Sequence, residues 1–143
     1  LVRLIFMKRI ILVSHKEFAK GIKSTLEFFA GENPNLYAID AYENGENNFP
    51  KKQLEDLINS FDANDEVFIL TDLLGGSVNQ NCSQLMSDRV HVITGINLPF
   101  ALTLLLDTSE HLTDDEIEKM ISKATSQIIY MNNYNKVANT DDE

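Results

Sequence analysis

His15 and Asp72 are the side chains of this 143-residue chain whose types and surroundings fit group-transfer chemistry. His15 stands in Val13-Ser14-His15-Lys16-Glu17, directly after one apolar run. Asp72 opens Asp72-Leu73-Leu74-Gly75-Gly76-Ser77, directly after another. A carboxylate that fixes one imidazole nitrogen leaves the other as a directed nucleophile or base. Glycines let the backbone N–H groups of Leu74, Gly75, Gly76 and Ser77 approach an anion, and a helix start favours negative charge. The Ser77 hydroxyl adds one donor. Imidazole, orienting carboxylate and anion cradle together are what a phosphohistidine site needs. Singly, each has a plainer reading: a structural or exposed histidine, a capping or turn aspartate, and ordinary turn glycines. The Gly-Gly-Ser stretch lacks the lysine of a P-loop and the spacing of a dinucleotide fingerprint. Only joint placement gives the parts chemical meaning.

The elements supply that placement. Ile10-Ile11-Leu12-Val13 and Val67-Phe68-Ile69-Leu70 are continuous apolar runs, the first with the signature of a parallel strand buried on both faces, and Val90 to Thr94 is a further strand. Leu36 to Asp40 is a shorter strand. Between them lie helical faces: Phe18, Ile22, Leu26 and Phe29, stopped by Gly31; Leu54, Leu57, Ile58 and Phe61, entered through Phe49-Pro50; Val78, Cys82, Leu85 and Met86. Gly95-Ile96-Asn97-Leu98-Pro99 turns into an apolar helix from Phe100 to Leu106. Thr113-Asp114-Asp115-Glu116 reads as a capping box. It opens a long helix with the face Ile117, Met120, Ile121, Ala124, Ile128 and Met131. Alternating strands and helices predict an α/β fold: a single three-layer domain with a mostly parallel four-stranded sheet of order 2-1-3-4 and helices on both faces. Its switch point lies between strands one and three, where residues after Val13 and Leu70 meet. The domain is expected over 7–131, after a leader or expression remnant at 1–6. An acidic, frayed tail is expected over 132–143, with Lys136-Val137-Ala138 a candidate extra strand.

Composition narrows the function classes. Asp and Glu number 22 against 12 Lys and Arg, a formal charge of −10 that disfavours nucleic acid and anionic membrane surfaces. No apolar run approaches the roughly 20 residues that span a bilayer. The single cysteine, Cys82, can form neither an internal disulfide nor a zinc cluster, and a cytoplasmic location is expected. Cys82 reads as a buried small hydrophobe. His91 reads as structural or solvent-facing, and His111 has no identifiable partner. Lys16 either attracts phosphate or is merely exposed. Ser14, Asn97 and Pro99 lie on the expected site rim, where Asn97 and Pro99 either line the site or shape the turn. The apolar helix after Pro99 belongs to the core or to a subunit interface.

Three segments carry a family resemblance: Ile11-Leu12-Val13-Ser14-His15, Phe68-Ile69-Leu70-Thr71-Asp72-Leu73-Leu74-Gly75-Gly76-Ser77, and Gly95-Ile96-Asn97-Leu98-Pro99. In this order and separation they resemble the EIIA component of the mannose-type (mannose, fructose, sorbose) sugar phosphotransferase system, from about Met7 to Met131. The resemblance implies that His15 is phosphorylated, that Asp72 is its carboxylate partner, and that Leu74, Gly75, Gly76 and Ser77 bind phosphate. It implies the phosphocarrier protein HPr as donor, a cognate EIIB on a separate chain as acceptor, a homodimer, and neither metal nor cofactor. Val78 departs from the family's frequent Gly-Gly-Ser-Pro. Two alternatives remain: the phosphoryl-transfer subunit of a dihydroxyacetone kinase system, and a non-catalytic flavodoxin-like binding module. A receiver needs an acidic cluster after strand one, where this chain has Ser14-His15.

Overall fold

A computed structural model describes residues 7–45 and 47–134. Four strands, β1 (Lys8–His15), β2 (Leu36–Ala41), β3 (Glu66–Thr71) and β4 (Val90–Ile93), form one parallel sheet of order β2-β1-β3-β4. Among the described residues, helices α1 (Phe18–Ala30), α2 (Lys51–Asn59), α3 (Ser77–Ser83), α4 (Leu98–Leu106) and α5 (Asp114–Thr125) follow in the chain, and a further helical turn covers Met131 to Tyr134. The expected strand order and helical layers are therefore present. Lys136-Val137-Ala138 lies outside the described residues.

The continuous apolar runs follow from burial on both faces. Successive side chains of a strand point to opposite sides. Ile10, Leu12, Phe68 and Leu70 face one layer, with Leu26 of α1, Leu104 of α4 and Ile117 of α5. Ile11, Val13, Val67 and Ile69 face the other, with Leu54 and Ile58 of α2 and Val78 and Cys82 of α3. Complete burial of each such Ile or Leu stabilises by about 1.5–3 kcal/mol. The two central strands are thereby anchored from both sides, and their carboxyl ends become fixed platforms.

The helical faces are narrower than periodicity predicts. In α1 the buried residues are Ala19 and Leu26, with Ile22 packed beside them; Phe18 and Phe29 are exposed. Both phenylalanines sit near the helix ends, beyond the sheet that the middle of α1 covers. α3 stops at Ser83, so Met86 lies beyond it and is exposed, although Val78 and Cys82 are buried as expected. α5 stops at Thr125, which leaves Ile128 and Met131 outside the helix and exposed. Its start is as predicted: Thr113 Oγ1 accepts from the Glu116 amide at 3.2 Å and donates to Glu116 Oε1 at 3.0 Å. α4 begins at Leu98, two residues earlier than expected. Phe100, Ala101 and Leu104 are core, while Leu106 is exposed.

Candidate functional site

β1 ends on His15, and Asp72 immediately follows the end of β3, its hydrogen-bonded neighbour. Parallel register therefore delivers both to one crevice at the carboxyl edge of the sheet, where chain connections diverge. One carboxylate oxygen, Asp72 Oδ2, receives the His15 backbone N–H and lies against imidazole Nδ1, both at 2.9 Å. The double contact fixes the ring's rotation as well as its place. The other oxygen, Oδ1, is buried and has no hydrogen-bond partner among the described residues.

Burial is the largest single influence on the Asp72 carboxyl and pushes it upward. Bonds from the His15 amide and imidazole, with the imidazole's charge, outweigh it and hold Asp72 below the ordinary carboxylate value. An ionised Asp72 makes Nδ1 the proton-bearing nitrogen. Nε2 is then the free one. It lies 3.4 Å from Ser77 Oγ, and the His15 side chain is 40% exposed, so this nitrogen faces an open crevice.

The loop from Asp72 to Ser77 is shaped by its glycines. The Gly76 amide donates to the Leu73 carbonyl at 3.1 Å, and Gly75 has φ +79°, the pattern of a type II turn with its left-handed third residue. Gly76 permits close approach: a Cβ there would lie 3.3 Å from His15 Cε1 and 3.2 Å from the Leu73 oxygen. With its amide occupied, Gly76 contributes space rather than a free donor. The amides of Leu74 and Gly75 have no partner among the described residues. The loop is braced from outside by Thr71 Oγ1 donating to Asn79 Oδ1 at 3.0 Å and Gln80 Nε2 donating to the Gly75 carbonyl at 3.0 Å.

The rim residues divide. Ser14 is buried; its hydroxyl accepts from the Ala19 amide at 2.6 Å and donates to the His15 carbonyl at 3.1 Å, tying β1 to α1. Asn97 caps α4 by accepting from the Phe100 amide at 2.8 Å, and its amide group donates to the Ala124 carbonyl at 2.8 Å. Pro99 occupies the first turn of α4. Asn97 and Pro99 thus shape the turn, and neither is brought against His15. Sequence reasoning missed Tyr42, directly after β2. Its hydroxyl is 3.0 Å from Ser77 Oγ, and its ring centroid is 5.6 Å from that of His15. No local signal marks it, because what brings it to His15 is the pairing of Ala41 with His15 across β2 and β1.

His111, expected to lack a partner, has one: Nδ1 lies 3.1 Å from Glu66 Oε2, while His91 Nε2 lies 2.8 Å from Oε1. This cluster is at the opposite edge of the sheet. Cys82 is buried, and its thiol is pushed up to about 12, chiefly by desolvation. A cavity of about 840 Å³ lies over the β2 edge between α1 and α2, and its lining does not include His15. No group of three or more His, Cys, Asp or Glu among the described residues is placed to hold a metal ion. No helix among them is long and apolar enough to cross a membrane.

Fold and site together define a doubly wound α/β domain with a carboxylate-held histidine at its switch point. The family model EIIA-man, described as PTS system fructose IIA component, matches residues 9–121. The chain belongs to this family and is an EIIA component of the mannose-type sugar phosphotransferase system. Among solved structures, a protein assigned as a phosphoenolpyruvate-dependent sugar phosphotransferase system permease from Klebsiella pneumoniae is 31% identical. The match covers 92% of this chain and 96% of that one, with a TM-score of 0.81. A phosphotransferase component EIIA from Streptococcus agalactiae is 30% identical over 89% of this chain and 99% of its own, with a TM-score of 0.76. The IIA protein associated with a fucose utilization operon in Streptococcus pneumoniae is 27% identical over 90% and 96%, with a TM-score of 0.78.

Proposed function

We propose that this EIIA component carries phosphoryl groups on His15, accepting them from HPr and passing them to a cognate EIIB on a separate chain in phosphoenolpyruvate-dependent sugar uptake. The observation that carries the reading is the division of labour on one imidazole: Nδ1 at 2.9 Å from Asp72, Nε2 facing the crevice beside Ser77. In the transfer, the Nε2 lone pair forms the new bond to phosphorus while the donor's leaving atom keeps the electrons of the broken one. Asp72 holds the Nδ1 proton and offsets the positive charge that develops on the ring. The open amides of Leu74 and Gly75, the start of α3 at Ser77 and the Ser77 hydroxyl supply donors for the equatorial phosphoryl oxygens. Gly76 lets the loop lie against the ring.

A carrier must surrender its phosphoryl group to another protein, and the exposure of His15 suits that requirement. Leu73 and Leu74, next to Asp72, and Phe18, three residues after His15, leave large apolar side chains exposed. They offer a contact face for protein partners of the kind that HPr and EIIB are. The expected homodimer belongs to the same proposal.

Intact mass measured after incubation with phosphoenolpyruvate, enzyme I and HPr tests the assignment. The wild type should gain one acid-labile phosphoryl group and His15→Ala none. Since His15 is half-exposed, the variant should remain folded. A variant that still acquires the group would remove His15 from the reaction.

A further inference from the structure

Tyr42 occupies a backbone conformation that its side chain disfavours. Its φ is +60°, in the left-handed region usually left to glycine or asparagine. It begins a turn that the Gly45 amide closes onto the Tyr42 carbonyl at 3.3 Å. The conformation directs the phenol across the ends of β2 and β1. Its ring is tilted 35° to the His15 ring, with centroids 5.6 Å apart. Its hydroxyl lies 3.0 Å from Ser77 Oγ, which in turn lies 3.4 Å from His15 Nε2. Lys16, the residue after His15, has φ +51° and donates its amide to the Ala41 carbonyl at 2.8 Å. The two non-glycine residues with positive φ among the described residues thus flank this crevice, where strained backbone is characteristically kept for function.

We infer that Tyr42 is a positioning residue for phosphoryl transfer, acting through Ser77; the inference rests on His15 being the phosphoryl acceptor. A serine hydroxyl rotates, and its single proton can point in several directions. When the Tyr42 phenol donates to Ser77 Oγ, that lone pair is occupied and the serine proton turns toward His15. In the empty site it is directed at Nε2. Once Nε2 carries phosphorus, the same proton is directed at a phosphoryl oxygen. Neither hydroxyl gives up its proton: the phosphoryl group moves from donor to Nε2, Asp72 keeps the Nδ1 proton, and Tyr42 and Ser77 keep theirs. Tyr42 therefore pre-sets one donor for the transition state and adds no acid or base.

Tyr42→Phe retains the ring against His15 and removes the hydroxyl. Single-turnover phosphoryl acceptance from phosphorylated HPr, followed by rapid quench, should slow by about threefold to tenfold, the effect of one modest hydrogen bond. In a Ser77→Ala background the same change should cost nothing further, because the residue it acts through is gone. The 15N resonance of His15 Nε2 in the unphosphorylated protein should shift in Tyr42→Phe, which loss of ring packing alone would not require. Phosphorylated wild type with an unchanged Tyr42→Phe rate overturns this inference alone. So do losses that multiply in the double variant. Wild type that takes up no phosphoryl group overturns the reading of His15, and this inference with it.

Discussion

At the amino edge of the sheet, Glu66 opens β3 and meets two imidazoles. At the carboxyl edge, Asp72 follows β3 and meets one. Both are histidine–carboxylate clusters on the same strand, yet their bonding differs. Each Glu66 oxygen has its own imidazole, His91 at 2.8 Å and His111 at 3.1 Å, and the His91 ring stacks on buried Phe68 with centroids 4.8 Å apart. Next to it, Asp65 accepts from the Met7 amide at 3.2 Å and from Arg9 Nε at 3.0 Å. Both Glu66 oxygens are thus taken, and these bonds hold the strand starts in register, although the His111 ring itself stays exposed. At the carboxyl edge, Asp72 uses one oxygen on a single histidine. The other ring nitrogen has only a long contact, 3.4 Å, to Ser77 Oγ, and the Leu74 and Gly75 amides beside it have no partner among the described residues. Pairing a histidine with a carboxylate does not make a reactive site. Reactivity requires directed valences left unfilled and exposed.

The comparison is tested most severely at Asp72. Asp72→Asn leaves an oxygen for the His15 amide but removes the charge that stabilises the ring. Phosphoryl acceptance should fall by roughly 10–100-fold, the usual loss when a residue that orients a working histidine is changed. Quench-flow measures this. An unchanged rate would make the carboxyl edge as structural as the amino edge. A pH series sharpens the point. The Asp72 carboxyl is held below its ordinary value, so its contribution to stability is complete above the unfolded value of about 3.9. It is lost as pH falls through the lower folded value. The gap in urea stability between wild type and Asp72→Asn should exist at neutral pH and close below about pH 4. A gap of constant size would reject the charge account.

How far such a contrast can be read from sequence depends on the range of the interactions. Strands β1 and β3 are legible because burial on both faces leaves an uninterrupted apolar run, and that sets the sheet order and the switch point. His15 and Asp72 are legible for the same reason: each adjoins one of those runs. The limits of the helical faces are not, because periodicity continues past the point where the sheet stops covering it. Phe29, Ile128 and Met131 keep helical spacing and are nevertheless exposed. The partner of His111 and the reach of Tyr42 are also invisible locally. Each depends on side chains brought together only when β2, β1 and β3 are aligned, or when the segment after α4 returns to the amino edge.

Gly76 probes the open edge without touching its charges. Its φ of −69° suits any residue, so Gly76→Ala introduces no backbone strain. The new methyl group would press on His15 Cε1 and on the Leu73 carbonyl. Turning the imidazole slightly away from its in-line pose should slow acceptance by about tenfold, with little change in the urea midpoint. An equal rate would mean that the ring has more freedom than its double contact to Asp72 implies.

Substitutions at the amino edge should do the reverse. Glu66→Ala leaves the mostly buried His91 without its acceptor and should lower stability by about 1–3 kcal/mol, while folded protein accepts phosphoryl groups at the wild-type rate. His111→Ala removes a contact whose imidazole is 69% exposed, and its stability change should stay below about 1 kcal/mol. Urea unfolding and the transfer assay, run on the same samples, separate the two quantities. If Glu66→Ala slowed transfer beyond what its unfolded fraction explains, the amino edge would be coupled to His15 through β3. A purely stabilising network predicts no such excess. The small His111 effect sets the scale: an exposed imidazole gains little from a carboxylate that water can replace, whereas His91, 17% exposed and stacked on Phe68, is less accessible to water and loses more with its carboxylate.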